Sequence, residues 1–392
     1  MLTASVITVL DSTTKLYSAN YYNEKGRLVK TVASNHLGGY DTTVTTYTFA
    51  GKPKTVQTEH TASGKDTQKQ LYTYTYDHVG RPTNVTYEVN LQTPVTLADY
   101  TYDNLGRLQN KRVHTTGSVN ALSYTYNIRS WLTGITGTNF TQYLYYTSGS
   151  GTPQYNGNIS SMTWRTSTDN AQRYKFTYDK LKRMTHAVYG QGASFSEIAD
   201  SQTYNNTVSY DKHGNITRQI RGGNTLDINH NGNQITTTSN SGFSYNKNGS
   251  MTKGSGKGIE TIEYNSLNLP KRVTWSVSKY TEYVYDAAGR KLQTKYVNGG
   301  STLTTDYCGS VIYEDKVLKR ILNDEGYVTL SDGDPSYYYY LKDHLGNNRV
   351  VAQSSGTPEQ KSSYYPFGGT FKTSGDNVQP YKFGGKELDG NT

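Results

Sequence analysis

The stretch Leu71-Tyr72-Thr73-Tyr74-Thr75-Tyr76-Asp77-His78-Val79-Gly80-Arg81 reads as a strand that runs straight into a tight turn. Tyr72, Tyr74 and Tyr76 fall on one face of an extended chain and Thr73 and Thr75 on the other, because successive strand side chains point to opposite sides. Tyr and Thr are both favoured strand residues. The turn follows from Asp77 and Gly80. Aspartate at the first position of a type I turn accepts backbone hydrogen bonds through its side chain, and glycine at the fourth takes a positive φ at little cost. A type I turn followed by a left-handed residue is a standard hairpin connection with a bulge.

The same heptapeptide, Tyr-(Asp/Asn)-x-x-Gly-(Arg/Asn)-(Leu/Ile), recurs along the chain. Clear copies are Tyr22-Asn23-Glu24-Lys25-Gly26-Arg27-Leu28 and Tyr102-Asp103-Asn104-Leu105-Gly106-Arg107-Leu108. Two more are Tyr210-Asp211-Lys212-His213-Gly214-Asn215-Ile216 and Tyr285-Asp286-Ala287-Ala288-Gly289-Arg290. Degenerate copies begin at Tyr47, Tyr126, Tyr178, Tyr245 and Tyr264. Asn231-Gly232, Asn248-Gly249 and Asn298-Gly299 mark further tight turns. Successive anchor tyrosines are mostly about 20 to 30 residues apart, the period of a repeat protein in which each unit borrows its neighbour's core. No stretch carries a long apolar stripe at helical spacing. The expected fold is all-β, an array of hairpins stacked into one curved antiparallel sheet with many tyrosines on its packed face.

Composition supports an ordered chain. Leu, Ile, Val and Phe make up about 18% of the 392 residues, below the roughly 20% at which disorder becomes a live alternative. The net charge of +9 is small for this length, however, and 38 tyrosines supply the missing apolar area. Each buried ring removes on the order of 150 to 250 Å² from water and keeps a hydroxyl for hydrogen bonding.

These residues resemble a known family. The heptapeptide is similar to the repeat of the bacterial RHS proteins, also called YD-repeat proteins, to which the extracellular domains of animal teneurins are also similar; it covers roughly residues 21 to 295. A second resemblance is sharper. Tyr338-Tyr339-Tyr340-Leu341-Lys342-Asp343-His344-Leu345-Gly346-Asn347-Asn348-Arg349-Val350-Val351 looks like the opening of the RHS repeat-associated core. Tyr364-Tyr365-Pro366-Phe367-Gly368 and Tyr381-Lys382-Phe383-Gly384-Gly385-Lys386-Glu387-Leu388-Asp389 match its next two blocks, in order. The resemblance divides the chain into a YD-repeat array over residues 1–335 and the first, truncated part of the core over residues 336–392. It implies a sheet that spirals into a hollow or partly hollow shell. In bacterial relatives the shell encloses a toxic C-terminal domain, and some members cut themselves after the core. This sequence stops at Leu388-Asp389-Gly390-Asn391-Thr392, before the second half of that core, so cleavage and cargo are not expected of these residues.

The chemistry-bearing residues point the same way. The eight histidines form no His-x-x-His or His-Glu-x-x-His pattern, so no metal is expected, and nothing calls for a cofactor. His344 follows Asp343 in a sequence that suits a turn better than a catalytic site. Lys253-Gly254-Ser255-Gly256-Lys257-Gly258 imitates a phosphate loop but lacks its Gly-Lys-Ser/Thr ending, and reads as a flexible hairpin loop. Cys308, the single cysteine, sits in a worn repeat turn with no partner to make it a nucleophile. Arg27, Arg81, Arg107 and Arg290 directly follow turn glycines, so the positive charge is spread by the repeat. Packing of Arg against Tyr explains that pattern better than ligand stacking; among ligands a cell-surface glycan ranks above nucleic acid. The first ten residues are apolar but too short to span a membrane and make a poor signal peptide.

The sequence therefore leads to a non-enzymatic shell segment of a secreted or surface bacterial RHS protein, whose partner is a C-terminal toxin or effector domain of the full-length protein. A carbohydrate-binding or adhesive surface protein is the alternative. The residues expected to matter are the turn positions of the repeats and the core blocks from Asp343 to Glu387.

Overall fold

The computed structural model describes residues 2–114 and 120–389. Its helical elements among those residues are two short 3-10 turns, Ser255–Lys257 and Phe383–Gly385; strands and their connections make up the rest. Strand follows strand in chain order, each antiparallel to the one before. Ala4–Thr8 pairs with Lys15–Tyr22, that strand with Leu28–Ser34, and the pattern continues to Met251–Gly254 as a first ribbon of 22 strands. One excursion interrupts it: Ala199–Asp200 and Asn206–Tyr210 both pair along the same edge of Met184–Gly192. Such a meander is what short-range turn signals dictate, since a tight turn returns the chain beside the strand it has just left.

The ladder breaks once. The glycine-rich run expected to be a hairpin loop is instead the joint between two ribbons. Gly254 ends a strand, Ser255–Lys257 forms a 3-10 turn, and only an isolated bridge from Gly254 to Ile259 spans the gap. Gly258, at φ +66°, takes the left-handed conformation that lets the chain turn away. A second ribbon of 12 strands then runs from Thr261–Tyr264 to Thr370–Ser374.

The second ribbon follows the first in the same order, which makes the whole an open spiral. Val9 and Leu16 pack with Leu292; Leu37 packs with Cys308, Val311 and Tyr313. Further along, Tyr87, Leu97 and Val113 pack with Ile321, Val328 and Tyr339. Last, Phe140, Trp164, Tyr174 and Tyr189 pack with Leu341, Val350 and Phe371. The spiralling sheet expected from the resemblance is present. Where its two turns overlap, the space between them is filled by side chains.

Tyrosine does much of this filling. Tyr87, Tyr174, Tyr189 and Tyr339 are completely buried. Burying a large apolar side chain contributes about 1.5–3 kcal/mol, and their hydroxyls find partners; the Tyr339 hydroxyl, for example, meets His114 Nδ1 at 2.9 Å across the layers. Between Val208 and Ile262 no described hydrophobic side chain is buried, and the arc meets the second ribbon through Arg221, whose guanidinium carbon lies 4.6 Å from the Tyr365 ring.

Candidate functional site

Asp77 shows how the repeat turn is built. Its N–H donates to the Arg81 carbonyl (2.9 Å) and its carbonyl accepts from the Gly80 N–H (3.0 Å). Oδ1 accepts from the N–H groups of Val79 (3.0 Å) and Arg81 (2.8 Å), and Oδ2 from Arg81 Nε (2.7 Å). The register slips by one residue between Thr75 and Tyr76, which is the bulge. Asp103 repeats every one of these contacts with Leu105 and Arg107. Asp211 does so with His213 and Asn215 and Asp286 with Ala288 and Arg290, while Asn23 keeps the two Oδ1 contacts, with the N–H groups of Lys25 and Arg27. Gly26, Gly80, Gly106, Gly214 and Gly289 all lie at φ between +72° and +90°. Desolvation opposes ionisation of Asp77 and Asp103, but the donors of Arg81 and Arg107 outweigh it and hold both carboxyls below the usual range.

Each turn is tied to both neighbours. The anchor tyrosine hydroxyl donates backwards, to the carbonyl two residues beyond the preceding turn's fourth position. Tyr76 reaches Pro53 (2.7 Å), Tyr102 reaches Pro82 (2.8 Å) and Tyr210 reaches Met184 (2.7 Å). The degenerate anchors Tyr47, Tyr126 and Tyr178 make the same bond to Leu28, Leu108 and Ile159. At the chain's start Tyr22 donates to Leu2 (2.7 Å). Tyr285 instead stacks on Tyr283 and offers its carbonyl to the Leu10 N–H (2.8 Å). At several turns the arginine that follows the fourth turn position reaches forwards. Arg81 lies 4.5 Å from the Tyr102 ring, Arg107 4.7 Å from Tyr126 and Arg183 4.5 Å from Tyr210. At these steps the cations act as inter-repeat clamps through cation–π contacts. Sequence reasoning found the residues but not these directed links.

The blocks assigned to the core are the same turn again. Asp343 accepts from the N–H groups of Leu345 and Asn347 (both 3.0 Å) and from Asn347 Nδ2 (2.9 Å), with Gly346 at φ +79°. In Tyr365-Pro366-Phe367-Gly368 the Gly368 N–H donates to the Tyr365 carbonyl (2.9 Å), while Tyr364 plays the anchor and donates to Asn348 (2.7 Å). Lys382 to Lys386 closes likewise: Lys382 N–H donates to the Lys386 carbonyl (2.8 Å), and Gly385 N–H to that of Lys382 (3.2 Å). The signal was present as Tyr364 and Tyr381, each four residues before Gly368 and Gly385. Glu387 then fastens this end, accepting from Lys291 Nζ and the Tyr307 hydroxyl, both at 2.7 Å.

What distinguishes the first core block is burial of its charged pair against the first ribbon. Arg349 is fully enclosed, with its guanidinium carbon 5.1 Å from the Trp164 ring, 5.6 Å from Tyr364 and 5.8 Å from Phe140. Its Nη1 lies 3.5 Å from Asp343 Oδ2. Trp164 and Phe140 belong to the first ribbon, so the Arg349 guanidinium, held by Asp343 of its own ribbon, joins the layers through these ring contacts. Beside it, the main-chain N–H of His344 donates to Gln142 Oε1 (3.2 Å), which also lies 3.1 Å from His344 Nδ1; burial pushes the imidazole down. Leu345 faces solvent. Cys308 is buried, and desolvation pushes its thiol up to about 12.

A cavity of about 490 Å³ opens between the second ribbon and residues 376–389, and its charged lining is paired internally, Lys291 with Glu387 and Arg320 with Glu314. Among the described residues no three His, Cys, Asp or Glu side chains converge as a metal site, and no helix is long and apolar enough to cross a membrane.

The turn ladder has a counterpart in known proteins. The profile of the teneurin YD-shell family matches residues 152–392. The chain belongs to the teneurin YD-shell family. This YD-shell segment is similar in fold to the crystal structure of TcdB2-TccC3-TEV, at 14% identity and a TM-score of 0.61, over 98% of this chain and 24% of that one. It is also similar to TcdB2-TccC3 without its hypervariable C-terminal region, at 13% identity and a TM-score of 0.59, over 98% of this chain and 24% of that one. The Tc holotoxin pore of Photorhabdus luminescens matches at 14% identity and a TM-score of 0.59, over 99% of this chain and 25% of that one. The YD-shell segment spans about a quarter of the length of these proteins. No curated protein matches it. Membership in this family assigns the chain a shell or scaffold role, and the turn ladder is the part of the structure that performs it.

Proposed function

We propose that this chain is a wall segment of a secreted or surface-exposed bacterial RHS shell that encloses and delivers a C-terminal toxin or effector domain, and that it is not itself an enzyme. The observation that carries this reading is the ladder of directed links. Most repeats hold the one before through a tyrosine hydroxyl, and several hold the one after through an arginine, so that neighbouring hairpins are tied into a wall. The toxin-complex proteins whose fold it shares support the cargo. The test is protease protection of the domain encoded after Thr392 in the full-length protein. That domain should resist protease while the shell is folded and be degraded once mild denaturant opens it. Equal cleavage in both states, or the absence of such a domain, overturns the reading.

A second reading, glycan binding, rests on one observation. Tyr17 and Tyr21 on the strand Lys15–Tyr22, and Tyr40 two strands away, are more than half exposed on the first ribbon, where rings can stack on sugars. Loss of glycan retention on Tyr17→Ala and Tyr40→Ala substitution would favour it.

A further inference from the structure

The motif turns lie along one rim of the ribbon, because between one and the next the chain runs out and back along antiparallel strands. Their two middle positions point away from the sheet. In five turns of the first ribbon one of those positions holds an apolar side chain: Phe49, Val79, Leu105, Ile128 and Leu181, each at least 61% exposed. Turns in water favour polar residues at such tips, so a row of aliphatic and aromatic tips, two strands or roughly 10 Å apart from Phe49 to Ile128 and four strands apart from Ile128 to Leu181, marks a contact surface. The other rim carries exposed apolar tips as well, at Leu91, Val277 and Val317.

One contact within the chain shows how the two rims fit. The turn of residues 9–14, on the opposite rim of the first ribbon, docks on the Asp286 motif turn of the second. Leu10 N–H donates to the Tyr285 carbonyl (2.8 Å) and Ala287 N–H to the Thr8 carbonyl (2.9 Å), an antiparallel bridge between turn tips. Asp11 pairs with Lys271 at 3.1 Å, and Val9 closes an apolar cluster with Leu16 and Leu292. Motif rim and opposite rim are therefore complementary surfaces, joined by backbone hydrogen bonds that do not depend on which repeat supplies them. On the first ribbon the five motif turns named above have no such cover.

We propose that this uncovered motif rim binds the opposite rim of a second copy of the chain, head to tail. The continuity with the residue 9–14 contact identifies the occupant: the same kind of turn, presented by another ribbon of the same repeat. A contact between two different surfaces of one molecule leaves a free surface at each end, so association runs on into chains of copies unless the rotation per step closes a ring.

Sedimentation of the 392-residue protein over a range of concentrations tests this. The wild-type mass rises with concentration beyond the 43.7 kDa monomer. A motif-rim variant (Val79→Ser, Leu105→Ser, Ile128→Ser, Leu181→Ser) and an opposite-rim variant (Leu91→Ser, Val277→Ser, Val317→Ser) each associate about tenfold more weakly or worse. Mixed in equal amounts, the two variants form dimers through their one intact pair of rims but no longer chains. Circular dichroism and melting identical to wild type establish that both variants fold. For the unsubstituted protein, amide exchange at high concentration should slow at residues 78–80 and 104–106. A wild type that stays monomeric, variants that associate like wild type, a mixture that stays monomeric, or slowing confined to the Thr370–Ser374 edge or the Tyr17 and Tyr40 face would each overturn the proposal.

Discussion

Gly106 carries two constraints at once. Its φ of +80° is left-handed, and a Cβ there would stand 3.0 Å from Arg81 Nη1, the clamp from the preceding repeat. Gly106→Val should therefore cost about 1–2 kcal/mol or more, whereas Asn104→Ala, in the exposed middle of the same turn, should cost much less. Denaturation midpoints of the two variants decide this, and equal losses would mean that the turn is not what limits the hairpin. The degenerate repeats allow the converse experiment. Lys182 occupies the glycine position of its turn at φ +66° and pays the left-handed strain without relief. Lys182→Gly should gain roughly 0.5 kcal/mol, the steric relief of about 1 kcal/mol less the extra chain entropy of glycine. A loss on this substitution would show that the Lys182 side chain contributes more than its backbone costs.

At the scale of the hairpin, stability is shared with the neighbours. Tyr102→Phe removes only the hydroxyl that donates to Pro82, a bond whose net contribution is about 1 kcal/mol. Amide exchange should quicken in the Pro82–Val89 strand as well as around the substituted turn. Quickening confined to the turn at Asp103 would mean that the repeats are not coupled through their tyrosines. The turn carboxylates set an acid limit. Asp77, Asp103, Asp179 and Asp211 are all held below the ordinary carboxylate value. Their contribution is present above about pH 4, where the unfolded carboxyls are ionised, and is lost as the pH falls through the lowered folded values. Asp103→Asn keeps the Oδ1 contacts, as Asn23 and Asn127 do. Its stability should fall less between pH 5 and pH 2 than that of the wild type, measured by denaturant titration at each pH.

At the scale of the whole molecule the layers are held by charges as well as by rings. Arg349→Met leaves Asp343 buried without its cation and should cost about 3–5 kcal/mol. Adding Asp343→Asn should recover part of that loss, because asparagine builds this turn at Asn127 and Asn265. No recovery would show that Arg349 matters through packing alone. Asp324 has the opposite sign to the turn carboxylates. Burial, then the neighbouring Glu325, pushes its carboxyl up. Its contribution is present at low pH, where it is protonated in both states, and is lost as the pH rises through the raised folded value. Asp324→Asn should thus stabilise the protein more at pH 7 than at pH 4.

The fold class and the turn ladder were legible because their causes are local. A tyrosine, an aspartate and a glycine at fixed spacing determine a bulged hairpin wherever they occur, and repetition makes a meander. Asp77, Asp103 and Asp286 needed nothing else to be found. Two things only the tertiary structure decided. One is where the ladder breaks: Gly254 to Gly258 looks like any other glycine-rich loop, and whether the next strand pairs depends on the layer it then meets. The other is which face of which strand meets which. Arg349 was legible as a member of the core block but not in its role, and it becomes the centre of the interlayer core because Trp164 and Phe140, nearly two hundred residues earlier, arrive on the other side. Contacts so distant in sequence follow from the curvature of the whole ribbon, a sum of small twists over many strands, and no local pattern encodes that sum.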